Sequence, residues 1–434
     1  MTISPREEMA CALCLSPLNL LDSQYVHPLG RDVVDHRPLP VATSSLDTVD
    51  RACDFCSDPH PMWALQGKNI SALAAGNRSQ LLQNFGQTWA ACVPCMADID
   101  TGRPENIVDR AVLRIGAADI ASVRYSVGAL HRIFLQHRRP GRTLITTTAW
   151  PALAVTARDL PRVRDRLAAL YRGPDELPTG ILARPQRRQT ADSLDRARLY
   201  FVDESFTDLA EHAAAHLPAV AAQPGLPPAD GGLILWARPT ASSAVVAASW
   251  STHGGHLDIV LYRAIGGGLD DQPLQRLREE IGWLVPLRTS QQPISELNRP
   301  PHPGGRMLLA TWLLIAQKAA ETAPVDLDTA VRHRYARTGR RLPDVLIVRV
   351  RAATRQNGNP NAPSADTGRR AYTSRVWVTG HWRNQAYGPG RTQRRLVYIH
   401  PFLRGPADTP IKLTSTVRIL RNDDPDLPHR YPES

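Results

Sequence analysis

The sequence predicts an α+β fold in three parts, and three observations carry that reading. All six cysteines fall in Cys-x-x-Cys pairs within the first quarter of the 434 residues. The middle of the chain alternates between apolar spacings of about 3.6 and 2, without a regular strand-helix repeat. The last sixty or so residues hold aromatic and arginine-rich runs around a Gly-Pro-Gly turn. The parts are therefore an N-terminal metal-binding module, a mixed α/β middle region and a C-terminal antiparallel β segment. The expected segments are residues 1–105, a helical region and linker at 106–188, a mixed α+β domain at 189–354, a flexible loop at 355–370 and a basic β-hairpin or meander at 371–434.

The cysteine segment comes first. Its pairs are Cys11/Cys14, Cys53/Cys56 and Cys92/Cys95. One Cys-x-x-Cys knuckle places two thiolates at two corners of a tetrahedron, so two knuckles complete a structural Zn²⁺ site. Cys53, Cys56, Cys92 and Cys95, bracketing a polar insertion, form the expected Cys₄ site. Cys11 and Cys14 then need imidazoles; His27, His36 and His60 are within reach along the chain, and His27 and His36 are the expected ligands. One or two structural zinc ions are expected. Apolar residues are too scattered here for an ordinary core, and coordination substitutes for the missing burial.

Two helices follow. From Pro104, Ile107, Val108, Ala111, Val112 and Ile115 recur on one stripe, and Ala117–Gln136 carries Val123, Val127, Leu130 and Phe134 before the basic cluster His137, Arg138, Arg139 and Arg142. A helix is expected over Leu160–Tyr171, then a proline- and arginine-rich linker over Gly173–Arg188. Strand patterns occupy Leu199–Val202, Gly232–Ala237, Ala244–Trp250, His256–Tyr262 and Val345–Val350. Helical patterns occupy Phe206–His216, Gln272–Ile281 and Met307–Thr322. Arg355–Arg370 has no large apolar residues and reads as a loop. Arg375–Leu420 reads as a three-stranded meander, with Trp377, Thr379, His381 and Arg383 alternating onto one face of its first strand.

Composition bounds the partners. The formal charge is +11, and lysine occurs at three positions only, so arginine carries nearly all of the positive charge. Arginine is the better fork for phosphate, although a GC-rich genome produces the same skew. Arg138, Arg139 and Arg142, with Arg383, Arg391, Arg394 and Arg395 beside His381, Gln385 and Tyr387, suit nucleic acid: guanidinium groups neutralise phosphates and rings stack on bases. The longest apolar run, Met307–Ala316, is too short to span a bilayer. The acidic N-terminus argues against a signal peptide, and a reducing cytoplasm is expected, where thiols bind metal.

Other motifs are weak. Gly266-Gly267-Gly268 lacks the Lys-Ser/Thr of a phosphate loop and reads as a turn. Ser249, His253, His256 and Asp258 lack a nucleophile elbow. His381, Arg383, Gln385, Tyr387 and His400 are residue types that ribonucleases use, with no spacing that fixes their distances. Cys11-x-x-Cys14, Asp35-His36 and Cys53-x-x-Cys56 follow the order found in zinc-stapled HNH endonucleases, and the resemblance implies His36 as general base and Asp35 as ligand of a divalent ion. The proline falls two residues after the histidine instead of three, and no Gly-Gly follows.

The pattern CDFC…W…WAAC…C, followed by GHWRNQ-x-YGPG-x-x-x-RR-x-x-x-I-x-P, resembles uncharacterised zinc-ribbon-like proteins of actinobacterial chromosomes, plasmids and phages. That resemblance implies a mobile-element or regulatory setting and carries no catalytic residue. The expected function is zinc-stabilised nucleic-acid binding. A metal-dependent nuclease and a non-catalytic adaptor for a protein partner are the alternatives.

Overall fold

The computed structural model describes residues 8–404 apart from 22, 28–34, 76–79, 117–119, 179–180, 219–225, 242, 294–301, 318–319 and 352–375. The loop expected at 355–370, the LTSTVRIL strand and the rest of the C-terminus lie outside them. The fold is α+β and divides into two compact units, 1–353 and 354–434.

Short antiparallel pairs open the first unit: β1 (Met9–Cys11) with β4 (Pro40–Ala42), and β2 (Asn19–Leu21) with β3 (Gln24–Val26). Then come β5 (Pro61–Gln66), the hairpin β6 (Ser71–Ala75) and β7 (Gln80–Asn84), and β8 (Thr88–Cys92), which pairs with β5. Three helices follow, α1 (Val93–Asp100), α2 (Pro104–Ile115) and α3 (Ile120–Gln136), before β9 (Thr143–Leu144) adds to the free edge of β5. Local signals set α2: Pro104 occupies its first turn, Glu105 favours the positive end of the dipole, and Gly116 closes it at φ 61°.

The rest of this unit is a seven-stranded mixed sheet clad by helices. In chain order its elements are α4 (Leu160–Arg172), α5 (Arg184–Arg196), β10 (Arg198–Val202), α6 (Glu204–Ala215), β11 (Gly231–Trp236), β12 (Ala247–His253), β13 (His256–Ala264), α7 (Asp271–Glu280), β14 (Leu284–Pro293), α8 (Pro303–Ile315), β15 (Ala320–Pro324), α9 (Thr329–Arg337) and β16 (Val345–Val350). The strand order is β14-β13-β12-β11-β10-β16-β15, parallel only at β10–β11 and β10–β16. Leu233 and Leu235 of β11 pack with Leu160, Val163, Leu167, Ala191 and Leu194 of α4 and α5. From the opposite face Trp236 donates to Thr311 of α8 at 3.1 Å, and Trp250 meets Trp312 edge-on at 5.1 Å. Both faces of the sheet are thus covered, so β11 is buried residue after residue instead of alternating. Gly254 and Gly255, both at positive φ, form the two-residue turn between β12 and β13.

The stretch expected to be a linker, Gly173–Arg188, instead contains the start of α5. Pro185 sits in its first turn, Gln186 caps it, and its buried side is Arg187, Ala191 and Leu194. The helix expected over Met307–Thr322 stops at Ile315, and Ala320 begins a strand. Because α8 is apolar nearly all round, no stripe in the sequence marked its end.

A second core joins the cysteine region to the sheet unit. Trp63, Trp89, Phe55, Phe134 and the four cysteines of Cys53–Cys95 share it with Leu170, Ile265, Leu277, Ile281 and Val285. Packing therefore runs across positions 105 and 188 without a break. Gly267 belongs to this seam: a Cβ there would lie 2.1 Å from the Pro151 carbonyl oxygen, which identifies the triple glycine as a close-packed turn.

In the second unit β17 (Val376–Val378) pairs with β20 (Phe402–Arg404), and β18 (His381–Tyr387) with β19 (Gln393–Ile399). The run RVWVTGHWR is thus two strands, not one. Gly380 is the corner, with Tyr398 Oη 2.2 Å from where a Cβ would stand.

Candidate metal centres and a basic hairpin

The first two cysteine pairs sit in the same knuckle. In each, the N–H four residues after the first cysteine donates to its carbonyl, Leu15 to Cys11 at 2.8 Å and Ser57 to Cys53 at 2.7 Å. Those two residues take φ of 59° and 58°. The first cysteine's own N–H reaches the carbonyl five residues on, Ser16 at 2.8 Å and Asp58 at 2.7 Å. Folding the chain back this tightly turns both sulfurs of each pair to one side. The third pair is built differently: Cys92 ends β8 and caps α1, while Cys95 lies in its first turn beside Pro94.

Pairing of β5 with β8 brings the second and third cysteine pairs together. The ligand atoms of Cys53, Cys56, Cys92 and Cys95 lie within 4.8 Å of one another, and all four residues are buried. Cys56 and Cys92 sulfurs are 3.6 Å apart, near the roughly 3.8 Å that tetrahedral Zn–S bonds of about 2.3 Å would set. Charge-complementing donors surround them. The Cys92 N–H reaches Cys53 Sγ at 3.3 Å, and Arg110 of α2 reaches Cys95 Sγ at 3.5 Å while pairing with Asp98 at 2.7 Å. Burial drives the Cys53 thiol well above its ordinary value, whereas S–H donors from Cys53, Cys92 and Cys95 hold the Cys56 thiolate low. Four sulfurs this close ionise together only around a cation.

Cys11, Cys14, His27 and His36 form a second cluster, likewise within 4.8 Å. Cys11 Sγ lies 3.4 Å from His36 Nε2, and Cys14 Sγ 3.4 Å from His27 Nε2, against about 3.5 Å for two corners of a Cys₂His₂ tetrahedron. Burial opposes ionisation of Cys11, but N–H groups of Leu39, Cys14 and Leu13, with His27, outweigh it and lower the thiol to about 5. Asp35, 99% exposed, meets His36 Nδ1 at 3.3 Å. That contact orients the ring as carboxylates do behind metal-bound histidines. With Nε2 on the thiolates and Nδ1 on Asp35, His36 has no nitrogen left for a proton from water. His60 stacks on Trp150 at 4.6 Å and belongs to neither cluster. These two clusters could bind metal ions, and the donor sets suit closed, structural coordination.

The basic residues divide. Arg142 is engaged inside the fold: it bonds Asp175 at 2.8 Å, Asp100 at 3.5 Å and Glu280 at 3.4 Å, and lies 4.7 Å over the Trp63 ring. Arg138 is half-buried and Arg139 exposed at the end of α3. On the hairpin, His381, Arg383, Gln385 and Tyr387 share one face of β18 by alternation, and their partners on β19 put Arg395 on it. Contacts agree: Arg383 donates to Gln385 at 2.8 Å, and Arg395 lies 5.3 Å over the Tyr387 ring. Arg394 falls on the opposite face and Arg391 on the turn. Among the described residues no carboxylate pairs with any of the four arginines. His400 is half-buried beside Tyr398, 5.8 Å between rings.

Sequence reasoning did not find Arg110. It reaches Cys95 only because α2 docks beside α1, and nothing in a chain separation of fifteen residues announces that.

Residues 287–405 are similar to an anti-CRISPR family. The family is described as AcrVA2-like, anti-CRISPR type V subtype A2, and the match covers just over a quarter of the chain, from β14 through the hairpin. No curated protein and no solved structure matches. Both metal clusters lie outside the matched residues, and among the described residues no helix is long and apolar enough to cross a membrane.

Proposed function

We propose that this chain is a zinc-stapled binding protein of phages or other mobile elements that engages nucleic acid through its C-terminal hairpin. The single observation that carries the reading is the β18–β19 face, where arginines with no carboxylate partner among the described residues flank exposed tyrosine and histidine within the family-matched residues. Guanidinium groups held on a rigid hairpin can neutralise phosphates, and Tyr387 can stack on a base. Zinc is the metal that fits Cys₄ and Cys₂His₂ donors in a reducing cytoplasm, and closed sites of this kind hold structure instead of activating water. The engagement of His36 speaks against the nuclease alternative. The family's name makes type V CRISPR immunity the process in which to seek an effect, and the resemblance to actinobacterial zinc-ribbon-like proteins supports a mobile-element setting.

Binding of fluorescent single- and double-stranded DNA and RNA should weaken steeply as salt rises, and R383E/R395E should reduce the slope of log affinity against log salt by about one per arginine. Salt-insensitive capture of a type V effector protein, unaffected by that double substitution, would favour the adaptor reading instead.

A further inference from the structure

The cavity between the end of α4 and the start of α5 has no part in the metal sites or the hairpin. It has a volume of about 300 Å³ and is lined by Tyr171, Arg172, Gly173, Arg184, Arg187, Arg188 and Asp192. Arg184, Arg187 and Arg188 stand at i, i+3 and i+4 of α5, where like charges destabilise a helix unless something offsets them. Acidic groups offset them little. Arg184 meets Glu176 only at 3.8 Å with both side chains largely exposed, and Arg188 has no carboxylate partner among the described residues. Arg172 is held at the rim by Asp192 and Asp195 at 2.7 and 2.8 Å.

Arg187 forms the floor. It is 4% exposed, and its guanidinium donates to the carbonyls of Leu170, Gly173 and Asp175 at 3.0, 3.2 and 2.9 Å, while its Nε is buried without a partner. Those bonds cap the carbonyl end of α4, yet they leave a buried cation with no counter-charge at bonding distance.

We propose that this cavity is a binding site for a phosphate monoester, with Arg184 and Arg188 as forks on the phosphoryl oxygens and Arg187 as the fixed charge beneath them. A guanidinium matches phosphate oxygens two at a time, and doubly charged phosphate is the anion that three arginines compensate. The cavity is larger than a lone phosphate fills, so the ligand carries a body beyond the phosphoryl group. A free nucleotide and the 5′-phosphate end of a nucleic-acid strand share this chemistry. The site does not depend on the hairpin reading.

The test is calorimetric titration of the full chain with AMP, with a 5′-phosphorylated ten-nucleotide strand and with its 5′-hydroxyl twin. R184Q/R188Q is the variant, and both side chains are exposed, so it should fold. AMP or the phosphorylated strand should bind, and the variant should weaken that binding at least about tenfold. AMP matching the strand identifies a free nucleotide; a strand outcompeting both AMP and its hydroxyl twin identifies a strand end. R383E/R395E should leave AMP binding unchanged. Absence of both AMP binding and any preference for the phosphorylated strand over its hydroxyl twin, or survival of either in R184Q/R188Q, would overturn the proposal.

Discussion

Single side chains decide the metal clusters, and the two are not equivalent. Cys92 is buried among Trp63, Trp89 and Phe134, and so serves packing and coordination together. Cys14 is half-exposed and joins a cluster that small two-stranded ribbons support. The wild-type chain purified without chelator should contain two zinc ions by elemental analysis. Cys92→Ser should lose one and become insoluble or markedly less stable, since a hydroxyl is left in the core beside three thiolates. Cys14→Ser and His36→Ala should each lose the other ion with a smaller drop in Tm. Nuclease activity in the wild type that vanishes in His36→Ala would contradict the ligand role. The cysteine spacing made all six sulfurs legible in the sequence, because a knuckle is a local motif. His27 and His36, the imidazoles expected beside Cys11 and Cys14, do cluster with them, but how they reach the thiolates was not legible, because each is brought there by chain that carries no motif of its own.

At the scale of elements, periodicity located α2 and α3, where one face is wet, and the enclosed strand β11, but it missed the polar start of α5 and lost the boundary of an apolar helix. The end of α8 and the start of β15 are the clearest case. Turn chemistry was legible at Gly254-Gly255 but not at Gly380, whose role is set by Tyr398 eighteen residues away. Gly380→Ala would drive a methyl group into the Tyr398 hydroxyl, which cannot retreat because the ring is buried against Trp382. The substitution should destabilise the hairpin unit by about 1–3 kcal/mol, seen as faster proteolysis after residue 375 while metal content stays at the wild-type level. Unchanged proteolysis would show that the corner has room.

The whole first unit is tied together by a core and a polar staple that no local pattern announces. Asp47, in the segment between the metal clusters, accepts from His302 Nε2 at 2.9 Å and from Arg288 at 3.0 Å, while His302 Nδ1 accepts from Gly304 to cap α8. Burial alone would raise the Asp47 carboxyl, but His302 and Arg288 hold it below its ordinary 3.8. A lowered folded value adds stability above pH 3.8 that is lost as pH falls through the folded value. Asp47→Asn should therefore cost about 1–3 kcal/mol at pH 7 in urea unfolding, and the gap from wild type should close in acid below pH 3.8. A pH-independent gap would mean that shape, not charge, is what Asp47 supplies. Chelation should act just as broadly: structural zinc contributes on the order of 10 kcal/mol, comparable to the roughly 5–15 kcal/mol net stability of a domain. Stripping metal should thus lower the Tm of the sheet as well as the cysteine region, and a 1–105 fragment should fail to fold with zinc because Leu170, Ile265, Leu277 and Val285 no longer cover its core. A folded fragment would show the two to be separable. What this sequence determined by itself was chemistry written in short range: which cysteines pair, which strands carry arginine beside aromatic rings, and that α and β elements mix. Tertiary structure alone decided the path that carries the imidazoles to the thiolates, that Arg142 is bound inside while the hairpin arginines stay open, and that the metal region and the sheet share one interior. Those outcomes depend on contacts between residues tens to hundreds of positions apart, whose geometry exists only once the layers have packed.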